Sequence, residues 1–549
     1  MSDSSHTYRE LDGHLKALDE AGLLHTIDAP INKDSELHPL VRWQFRGGIK
    51  ESDRKAFLFT NVVDGKGNTF DIPVAVGALA ANEDVYGVGM GCAVDEIAGK
   101  WTDAIANPIP PRLVNSAPCQ EVVIECDDLL GEGNGLDALP IPVSTPGFDA
   151  APTLTATNCV TKDPETGVHN MGTYRCGLKS PNRMVIRMAT RVGGAGGYVH
   201  WQKQKAKGEK LECAVVLGCP PYVAYMGPQK LPLGMDELDV AGGLAGEPIN
   251  VVPARTVDLL VPAEAEVVIE GLIDPTKLEP EGPFGESHGH VALEEFNMPF
   301  EVTAITRKKK AVIPSYISQV APSESSVMKR VAYEPLFLTH LNNTLGIKGV
   351  TGVSLHEPLS GLLRITLISI AKGTSRTEIW RALYGAASFK GDMGKITIAV
   401  DEDIDPQNAD SILWALAYRH NPSEDVVIMP HRGQGHGPRR EHGGEEDGTL
   451  LIDATMKEDM PPLALPDAGY MEQAKEVWEK LDLPPLRPES PWHGYTLGDW
   501  HERWDVAAKN AADSNYLKNG EETLGRQVSL DIIPETSVRQ VEDGWFEDD

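Results

Sequence analysis

Two carboxylates lie five residues apart in the segment EGPFGESHGH, residues 281–290. Glycine permits backbone angles that other residues resist and proline fixes its own φ angle, so this turn can aim Glu281 and Glu286 rigidly into one space. When two acids are crowded together their pKa values tend to separate, which leaves one protonated near neutrality and the other charged. The spacing therefore indicates proton transfer, although a solvated loop with exposed acids would have the same sequence.

A second segment, HNMGTYRCG at residues 169–177, combines an amide with a permanent positive charge. The side-chain oxygen of Asn170 suits a hard cation, and the guanidinium of Arg175 is a fork for a carboxylate or a phosphate. Further on, the segment RMATRVGGAGG adds Arg187, Arg191 and a glycine run. Cations beside glycine-rich backbone can cradle a phosphate, although the chain has no Walker or Rossmann fingerprint, and a half-buried arginine also serves in structural ion pairs.

A third candidate is the histidine-rich segment HRGQGHGPRREHGGEED, residues 431–447. Its members His431, His436 and His442 could bind a metal, but their spacing matches no standard zinc pattern. The sequence favours a flexible polar loop that faces a pocket.

The predicted secondary structure that must position these residues changes along the chain. Short β-rich runs between Gly and Pro turns indicate a curved sheet or split barrel, and later strands alternate with helices as in a three-layer α/β domain. The fold class is therefore multidomain, α/β and α+β. The expected parts are an N-terminal mixed α/β region at 1–114, a central split β-barrel-like domain at 115–318, a linking helix at 319–345, a C-terminal three-layer α/β domain at 346–457 and a C-terminal arm at 458–549.

Composition excludes several classes of function. A formal charge of −31 over 549 residues argues against nucleic acid, because phosphate binding needs clustered Lys and Arg. No apolar run approaches membrane-spanning length. The seven cysteines are odd in number and form no CxxC pair, so the sequence indicates neither a disulfide framework nor a zinc knuckle. We expect a cytoplasmic protein with no membrane partner.

Taken in order, several segments resemble the UbiD family of prenylated-FMN-dependent (de)carboxylases. The resemblance runs from the first helix to about residue 457. The segments that carry it are NMGTYR, DELDVAGGLAGEP, VPAEAEVVIEG, EGPFGE, GKITIAVDEDIDPQNADSILWALAYRHNP and LLIDATMK. Each alone would be a weak match, and their order and spacing make the resemblance specific.

The resemblance assigns roles to residues of this sequence. Arg175, Glu281 and Glu286 match the family's catalytic Arg–Glu–Glu network, and Asn170 and Glu237 match ligands of a divalent cation. The residues that match cofactor contacts are Thr173, Tyr174, Arg175, Arg187, Met188, Ala189, Arg191, Val192, Gly193 and Lys395. The last of these, Lys395, matches a lysine that reaches the cofactor phosphate.

One position departs from the family pattern. Many members have a histidine, often a third metal ligand, where this chain has Arg191. A guanidinium is always cationic and cannot ligate a metal. We therefore expect Arg191 to neutralise the cofactor phosphate directly, which leaves the metal content of the site open.

The implied reaction is the reversible, non-oxidative decarboxylation of an aromatic, heteroaromatic or α,β-unsaturated acid through a covalent adduct with prenylated FMN. An aromatic acid is favoured, such as a hydroxybenzoate, a polycyclic or heteroaromatic carboxylate or a phthalate-type acid. The resemblance also implies Mn²⁺ or Mg²⁺, with K⁺ as a further candidate, a flavin prenyltransferase that supplies the cofactor, and a homo-oligomer, either a dimer or a hexamer. The alternatives are a non-catalytic subunit of a multi-subunit carboxylase and an ordinary FMN oxidoreductase.

Overall fold

The computed structural model describes residues 6–527 with several gaps. The gaps are residues 132, 189–194, 230, 232–234, 357–363, 392–393, 434–445, 458–459, 489, 492–496, 499, 501 and 525. The chain divides into two compact units, Met1–Thr455 and Met456–Asp549. The candidate site residues all lie in the first unit.

The first unit begins with a mixed α/β region. The first helix is amphipathic, and Leu11, Leu15 and Leu18 are buried on one of its faces. Its helices are α1 (Leu11–Glu20), α2 (Leu37–Arg46), α3 (Glu83–Met90) and α4 (Ile97–Ala106). Its strands are β1 (Leu24–Ile27), β2 (Ile31–Asn32), β3 (Ala56–Phe59), β4 (Val62–Val63), β5 (Thr69–Phe70), β6 (Val74–Val76) and β7 (Arg112–Leu113).

A large sheet forms the centre of the first unit. Its strands are β8 (Val122–Glu125), β9 (Thr153–Leu154), β10 (Thr157–Lys162), β11 (His169–Gly172), β12 (Cys176–Ser180), β13 (Arg183–Ile186), β14 (Leu211–Leu217), β17 (Val267–Ile273), β18 (Glu279–Glu281) and β21 (Glu295–Arg307). The main path runs β11-β10-β14-β17-β21-β13-β12-β9, while β8 and β18 also pair with β21. Within the described residues this path does not close on itself. The long strand β21 therefore pairs directly with β8, β13, β17 and β18 and holds them in one sheet.

Shorter elements surround this sheet. The helix α7 (Glu237–Ala245) is capped by Asp236, whose side chain accepts a hydrogen bond from the backbone N–H of Leu238. The helices are α5 (Gly196–Lys207), α6 (Pro221–Ala224) and α7 (Glu237–Ala245), and the strands are β15 (Asn250–Pro253), β16 (Leu260–Pro262), β19 (Phe284–Gly285), β20 (Val291–Ala292) and β22 (Ile313–Ser315). The strand β22 joins β6, so the chain returns here to the N-terminal region.

A long helix, α8 (Glu324–Thr339), leads into the C-terminal domain. Ser323 and Ser326 form a reciprocal capping box at its start, and Pro335 lies inside it. The domain contains β23 (Val350–Ser354), β24 (Ile365–Ile370), α9 (Arg376–Ser388), β25 (Ile396–Asp401), α10 (Ala409–Tyr418), β26 (Val426–Gly433) and β27 (Glu446–Ala454).

The strands of the C-terminal domain form one sheet between helices. The order is β23-β24-β25-β27-β26, with β24, β25 and β27 parallel. One face packs against residues of α8 and α9 and the other against residues of α10. The alternation of strands and helices in the sequence predicted this three-layer arrangement, and the structure confirms the mixed α/β fold class.

The second unit contains short helices. They are α11 (Ala468–Lys480), α12 (Glu502–Ala512) and α13 (Leu517–Leu524). The described side chains of α11 and α13 are not buried. Among the helices that the structure describes in either unit, none has the length and apolar character needed to cross a membrane.

Candidate active site

The structure brings Arg175 and Glu281 together although they are 106 residues apart in sequence. Arg175 precedes β12, and Glu281 ends β18, whose partner strand β21 also pairs with β13. The Nε and Nη2 groups of Arg175 each donate a hydrogen bond of 2.8 Å to a separate oxygen of Glu281. This fork-to-fork pairing fixes both the position and the plane of the guanidinium.

The remaining terminal nitrogen of Arg175 forms an ion pair with Glu286. The side chains of Arg175, Glu281 and Glu286 retain 8%, 4% and 8% of their exposure, so the three charges are almost fully enclosed. A buried arginine between two carboxylates balances part of their charge and orders both. The Arg–Glu–Glu cluster predicted from the sequence is therefore assembled in one place.

Two further residues support the cluster and were missed in the sequence. The Nδ2 group of Asn297 donates a hydrogen bond of 3.0 Å to Glu281 Oε2, and the ring of Phe284 lies 4.7 Å from the guanidinium carbon of Arg175. The cation–π contact shields the guanidinium with an apolar face. We call residues 281–290 the acidic turn. Phe284 lies inside this turn, which was the one signal for it in the sequence. Asn297 had no such signal, because only the register of β18 against β21 brings it to Glu281.

The backbone beside one predicted metal ligand, Asn170, contacts the other predicted ligand, Glu237. The backbone N–H of Met171, next to Asn170, donates a hydrogen bond of 3.0 Å to Glu237 Oε2. Burial raises the pKa of Glu237 to about 7, with Asp236 adding a like charge. Among the residues that the structure describes, no side-chain cation contacts this carboxyl, and a divalent cation would supply a positive charge. Within the described residues, no cluster of three His, Cys, Asp or Glu side chains could hold a metal.

Two of the predicted cofactor contacts, Thr173 and Tyr174, lie next to Asn170 and Arg175 in the chain. The hydroxyl of Thr173 is buried and has no hydrogen-bond partner in the described chain, which fits a polar ligand atom at this point. Tyr174 receives hydrogen bonds at its hydroxyl from the Asn170 amide, at 3.4 Å, and from the Gly197 N–H, at 3.2 Å. A Cβ at Gly196 would lie 1.8 Å from Asn170 Oδ1, so this glycine allows the helix start to approach the amide closely.

The other predicted contacts divide into three groups. Arg187 donates its backbone N–H to the carbonyl of Arg175 at 3.0 Å, and Met188 is buried beside it. Lys395 lies in the C-terminal domain, where its ammonium forms an ion pair with Asp447. The predicted contacts Ala189, Arg191, Val192 and Gly193 lie outside the described residues.

The histidine-rich segment is described only at its ends. His431 pairs with Glu446 through a Nδ1–Oε2 distance of 2.8 Å, and both side chains are largely exposed. His436 and His442 lie outside the described residues. In the acidic turn, the Nδ1 of His288 accepts a hydrogen bond from the backbone N–H of His290, which gives His288 a local structural role.

Two family domains match this chain. The 3-octaprenyl-4-hydroxybenzoate carboxy-lyase Rift-related domain (UbiD) matches residues 112–320, and the C-terminal domain of the same carboxy-lyase matches residues 327–454. Together they cover more than half of the 549 residues. The chain therefore belongs to the UbiD family of carboxy-lyases.

Solved structures share the fold. The UbiD-class enzyme HmfF of Pelotomaculum thermopropionicum, in complex with FMN, is 27% identical, with a TM-score of 0.73 over 85% of this chain and 100% of HmfF. An evolved dimeric form of HmfF in complex with prFMN has a TM-score of 0.72 at 27% identity, over 85% of this chain and 99% of that one. The vanillic acid decarboxylase of Sedimentibacter hydroxybenzoicus shares the fold at 23% identity, with a TM-score of 0.71 over 87% of this chain and 100% of that chain.

A curated relative extends over nearly the whole chain. It is an uncharacterized protein of Synechocystis sp., 29% identical over 519 residues, which are 89% of this chain and 97% of the relative.

Proposed function

We propose that this chain catalyses the reversible, non-oxidative decarboxylation of an aromatic, heteroaromatic or α,β-unsaturated acid with prenylated FMN as its cofactor. The observation that carries the proposal is the buried cluster in which Arg175 pairs with both Glu281 and Glu286. Membership of a carboxy-lyase family and the binding of FMN and prFMN by HmfF support it.

The residues around Asn170 fit the cofactor. The unpartnered hydroxyl of Thr173, the close approach of Gly196 to Asn170 and the enclosed Tyr174 would hold a polar, planar ligand beside Arg175. When bound, prenylated FMN supplies the electron sink that a decarboxylation requires, and the protein supplies binding and orientation. We assign the cofactor contacts to the residues predicted from the sequence.

Glu286 is our choice for the proton donor. Loss of carbon dioxide replaces a carboxylate by a proton on the substrate carbon, so a nearby acid must deliver that proton. Glu286 pairs with Arg175 through Oε1, and its Oε2 accepts a hydrogen bond of 3.1 Å from the backbone N–H of Ser287. Glu281 binds Arg175 with both oxygens and also accepts a hydrogen bond from Asn297. Glu281 therefore fixes the plane of the guanidinium, and we assign the exchange of the proton to Glu286.

The enclosure of the cluster favours this chemistry. The low exposure of the three side chains and the ring of Phe284 exclude water, so charge interactions are stronger here than at the surface. A preorganised, water-poor site stabilises the dispersed charge of a decarboxylation transition state.

A divalent cation, Mn²⁺ or Mg²⁺, would be held by Asn170 and Glu237. An amide oxygen and a carboxylate are hard ligands for such a cation. Burial raises the pKa of Glu237, and a bound cation would offset the cost of burying its charge. Two protein ligands leave room for oxygens of a cofactor phosphate. We also propose that a flavin prenyltransferase supplies the cofactor and that the chain forms a dimer or hexamer.

A substrate with a second anionic group is favoured by Lys329. This residue lies in the second turn of α8 and is half-buried, and enclosure by protein lowers the pKa of its ammonium to about 8. Within the described chain the ammonium has no ion-pair or hydrogen-bond partner. A half-buried ammonium with no counter-ion in the described part of the chain favours an anionic ligand.

Segments before and after Lys329 contact the acidic turn and the C-terminal domain, which supports this assignment. Before the helix, Val320 lies beside Gly289 of the acidic turn, 3.7 Å from where a Cβ of that glycine would be. One helical turn after Lys329, the ring of Tyr333 lies 4.1 Å from the Nζ of Lys390. A phthalate-type acid would bring a second carboxylate to the ammonium of Lys329, and a hydroxybenzoate would bring a phenolic oxygen that accepts a hydrogen bond.

The two alternatives make different predictions. A non-catalytic subunit would not need an intact Arg–Glu–Glu cluster, and an ordinary FMN oxidoreductase would not depend on a prenyltransferase. The test is to produce the protein with and without a flavin prenyltransferase and compare the bound flavin by mass spectrometry and absorbance. Each preparation is then tested against a panel of aromatic and acrylic acids. Turnover that needs only unmodified FMN would overturn the proposal.

A further inference from the structure

The acidic turn is tied to a loop from a distant part of the sequence. The Oδ1 of Asp149 accepts a hydrogen bond of 2.7 Å from the backbone N–H of Gly285, which lies 136 residues later. The neighbouring Ala150 donates its own N–H to the carbonyl of Pro283 at 3.0 Å. Residues 144–150, which we call the buttress loop, therefore hold two successive parts of the turn.

Asp149 also organises its own loop. Its second oxygen, Oδ2, accepts a hydrogen bond of 2.7 Å from the backbone N–H of Thr145. The same carboxylate thus joins the start of the buttress loop to the acidic turn. Hydrogen bonds from backbone amides to a carboxylate are charge-assisted and stronger than neutral ones.

The loop and the turn approach too closely for any side chain at Gly285. A Cβ at this position would lie 2.0 Å from Thr145 Oγ1 and 2.9 Å from Thr145 Cβ. Only glycine fits here, because any side chain would clash with Thr145. This steric observation is independent of the hydrogen bonds. Displacing the buttress loop would also displace the peptide that precedes Glu286.

We infer that Asp149 is a positioning residue, which fixes the acidic turn so that Glu286 meets Arg175 and the substrate in one geometry. Asp149 acts through the backbone N–H of Gly285, one residue before Glu286. This inference rests on the proposed function, in which Glu286 delivers the proton.

The test compares Asp149→Ala and Asp149→Asn with Asp274→Ala as a matched control. Asp274 also accepts a backbone hydrogen bond, from Thr276 at 2.8 Å, in an exposed turn. We expect Asp149→Ala to lower kcat by about 10- to 100-fold, because small displacements of reacting groups have effects of this size. The asparagine keeps one acceptor oxygen, so Asp149→Asn is expected to retain more of kcat. KM and flavin content should change less than about twofold.

Amide hydrogen exchange supplies a readout that does not need turnover. In Asp149→Ala, a peptide that covers residues 281–292 should exchange faster, while peptides from β14 and β17 stay protected. Gly285→Ala approaches the same contact from the other side and should give the same local signature. The Asp274→Ala control should leave this peptide and kcat unchanged.

Two results would overturn the inference. One is wild-type kcat and wild-type exchange in Asp149→Ala. The other is faster exchange throughout the first unit with a matching loss of thermal stability, which would make Asp149 a general structural residue. If the wild-type protein shows no turnover, the proposed function fails, and the exchange of residues 281–292 still decides whether Asp149 holds the turn.

Discussion

At the scale of single residues, the site is defined by how Arg175 divides its nitrogens between two acids. Two nitrogens bind Glu281 and the third pairs with Glu286. The sequence identified all three residues, because glycine and proline around the acids and the resemblance of the motif are local signals. The contact of Asn297 with Glu281 was not predictable, since it depends on the pairing of β18 with β21.

Replacing the proposed proton donor should separate binding from turnover. We expect Glu286→Gln to retain prenylated FMN and to lose turnover by at least about 100-fold, because an amide cannot deliver the proton. Flavin content by absorbance and carbon dioxide release are the measurements. The matched control is Glu279→Gln, since Glu279 is a carboxylate of the neighbouring strand β18 that also pairs with an arginine, Arg183. Wild-type turnover in Glu286→Gln would exclude Glu286 as the donor.

Replacing Lys329 should alter the choice of substrate. Lys329→Met keeps an apolar chain of similar length and removes the ammonium. We expect kcat/KM to fall by about 10- to 100-fold for acids with a second anionic group, the loss expected for one hydrogen bond to a charged group. For acids with a single carboxylate, the change should be less than about threefold.

The control for this experiment is Lys277→Met, since the side chain of Lys277 is 75% exposed. It should leave kcat/KM unchanged for both kinds of acid. An equal loss for both kinds in Lys329→Met would show that Lys329 does not select the second anion.

At the scale of secondary structure, the sequence predicted the elements better than their connections. The alternating strands and helices from Ile365 to Ala454 carry clear periodic patterns, and the structure contains them. The support of the acidic turn by Asp149 had no signal, because the loop around Asp149 reads as an ordinary Gly/Pro surface loop. Only the three-dimensional path of the chain brings residues 149 and 285 together.

The first helix should make the fold sensitive to acid through His14. This side chain is buried against the carbonyl of Ala78 at 2.6 Å, and burial lowers its pKa to about 4. An unfolded histidine has a pKa of about 6.5, so below that pH the unfolded state binds a proton that the folded state refuses. The free energy of unfolding should therefore fall as the pH falls from 6.5 to 4, by about 3 kcal/mol from this group.

His14→Gln preserves a hydrogen-bond donor and removes the titration. Urea unfolding between pH 7 and pH 4 should show a smaller loss of stability in this variant than in the wild type. His431→Gln serves as the control, since the side chain of His431 is 78% exposed. An unchanged pH dependence in His14→Gln would contradict the assignment.

At the scale of the whole molecule, the hydrophobic cores belong to the first unit. The five clusters of buried apolar side chains found in the described chain draw their members from Tyr8 to Ala454. The second unit, from Met456, is described by itself. Its sequence is rich in proline, tryptophan and acids, a composition from which we expected an arm. The helical spacing of Tyr470, Ala474 and Val477 in α11 was missed.

Removal of the second unit should leave the first one folded. We expect a chain that ends at Thr455 to unfold within about 3 °C of the full-length midpoint, because the five buried apolar clusters of the described chain lie before residue 456. Calorimetry gives the midpoint, and light scattering of both proteins gives the oligomeric state. Aggregation or loss of cooperative unfolding would show that the first unit needs the second.

The most direct test of the proposed decarboxylation follows the substrate carbon that loses its carboxylate. Protein produced with a flavin prenyltransferase is incubated in D₂O with the acid that it converts best from the panel. We predict one carbon dioxide and one deuterium at that carbon for each turnover, and neither from Glu286→Gln. Failure of the protein that carries prenylated FMN to release carbon dioxide from any acid in the panel would contradict the proposed function.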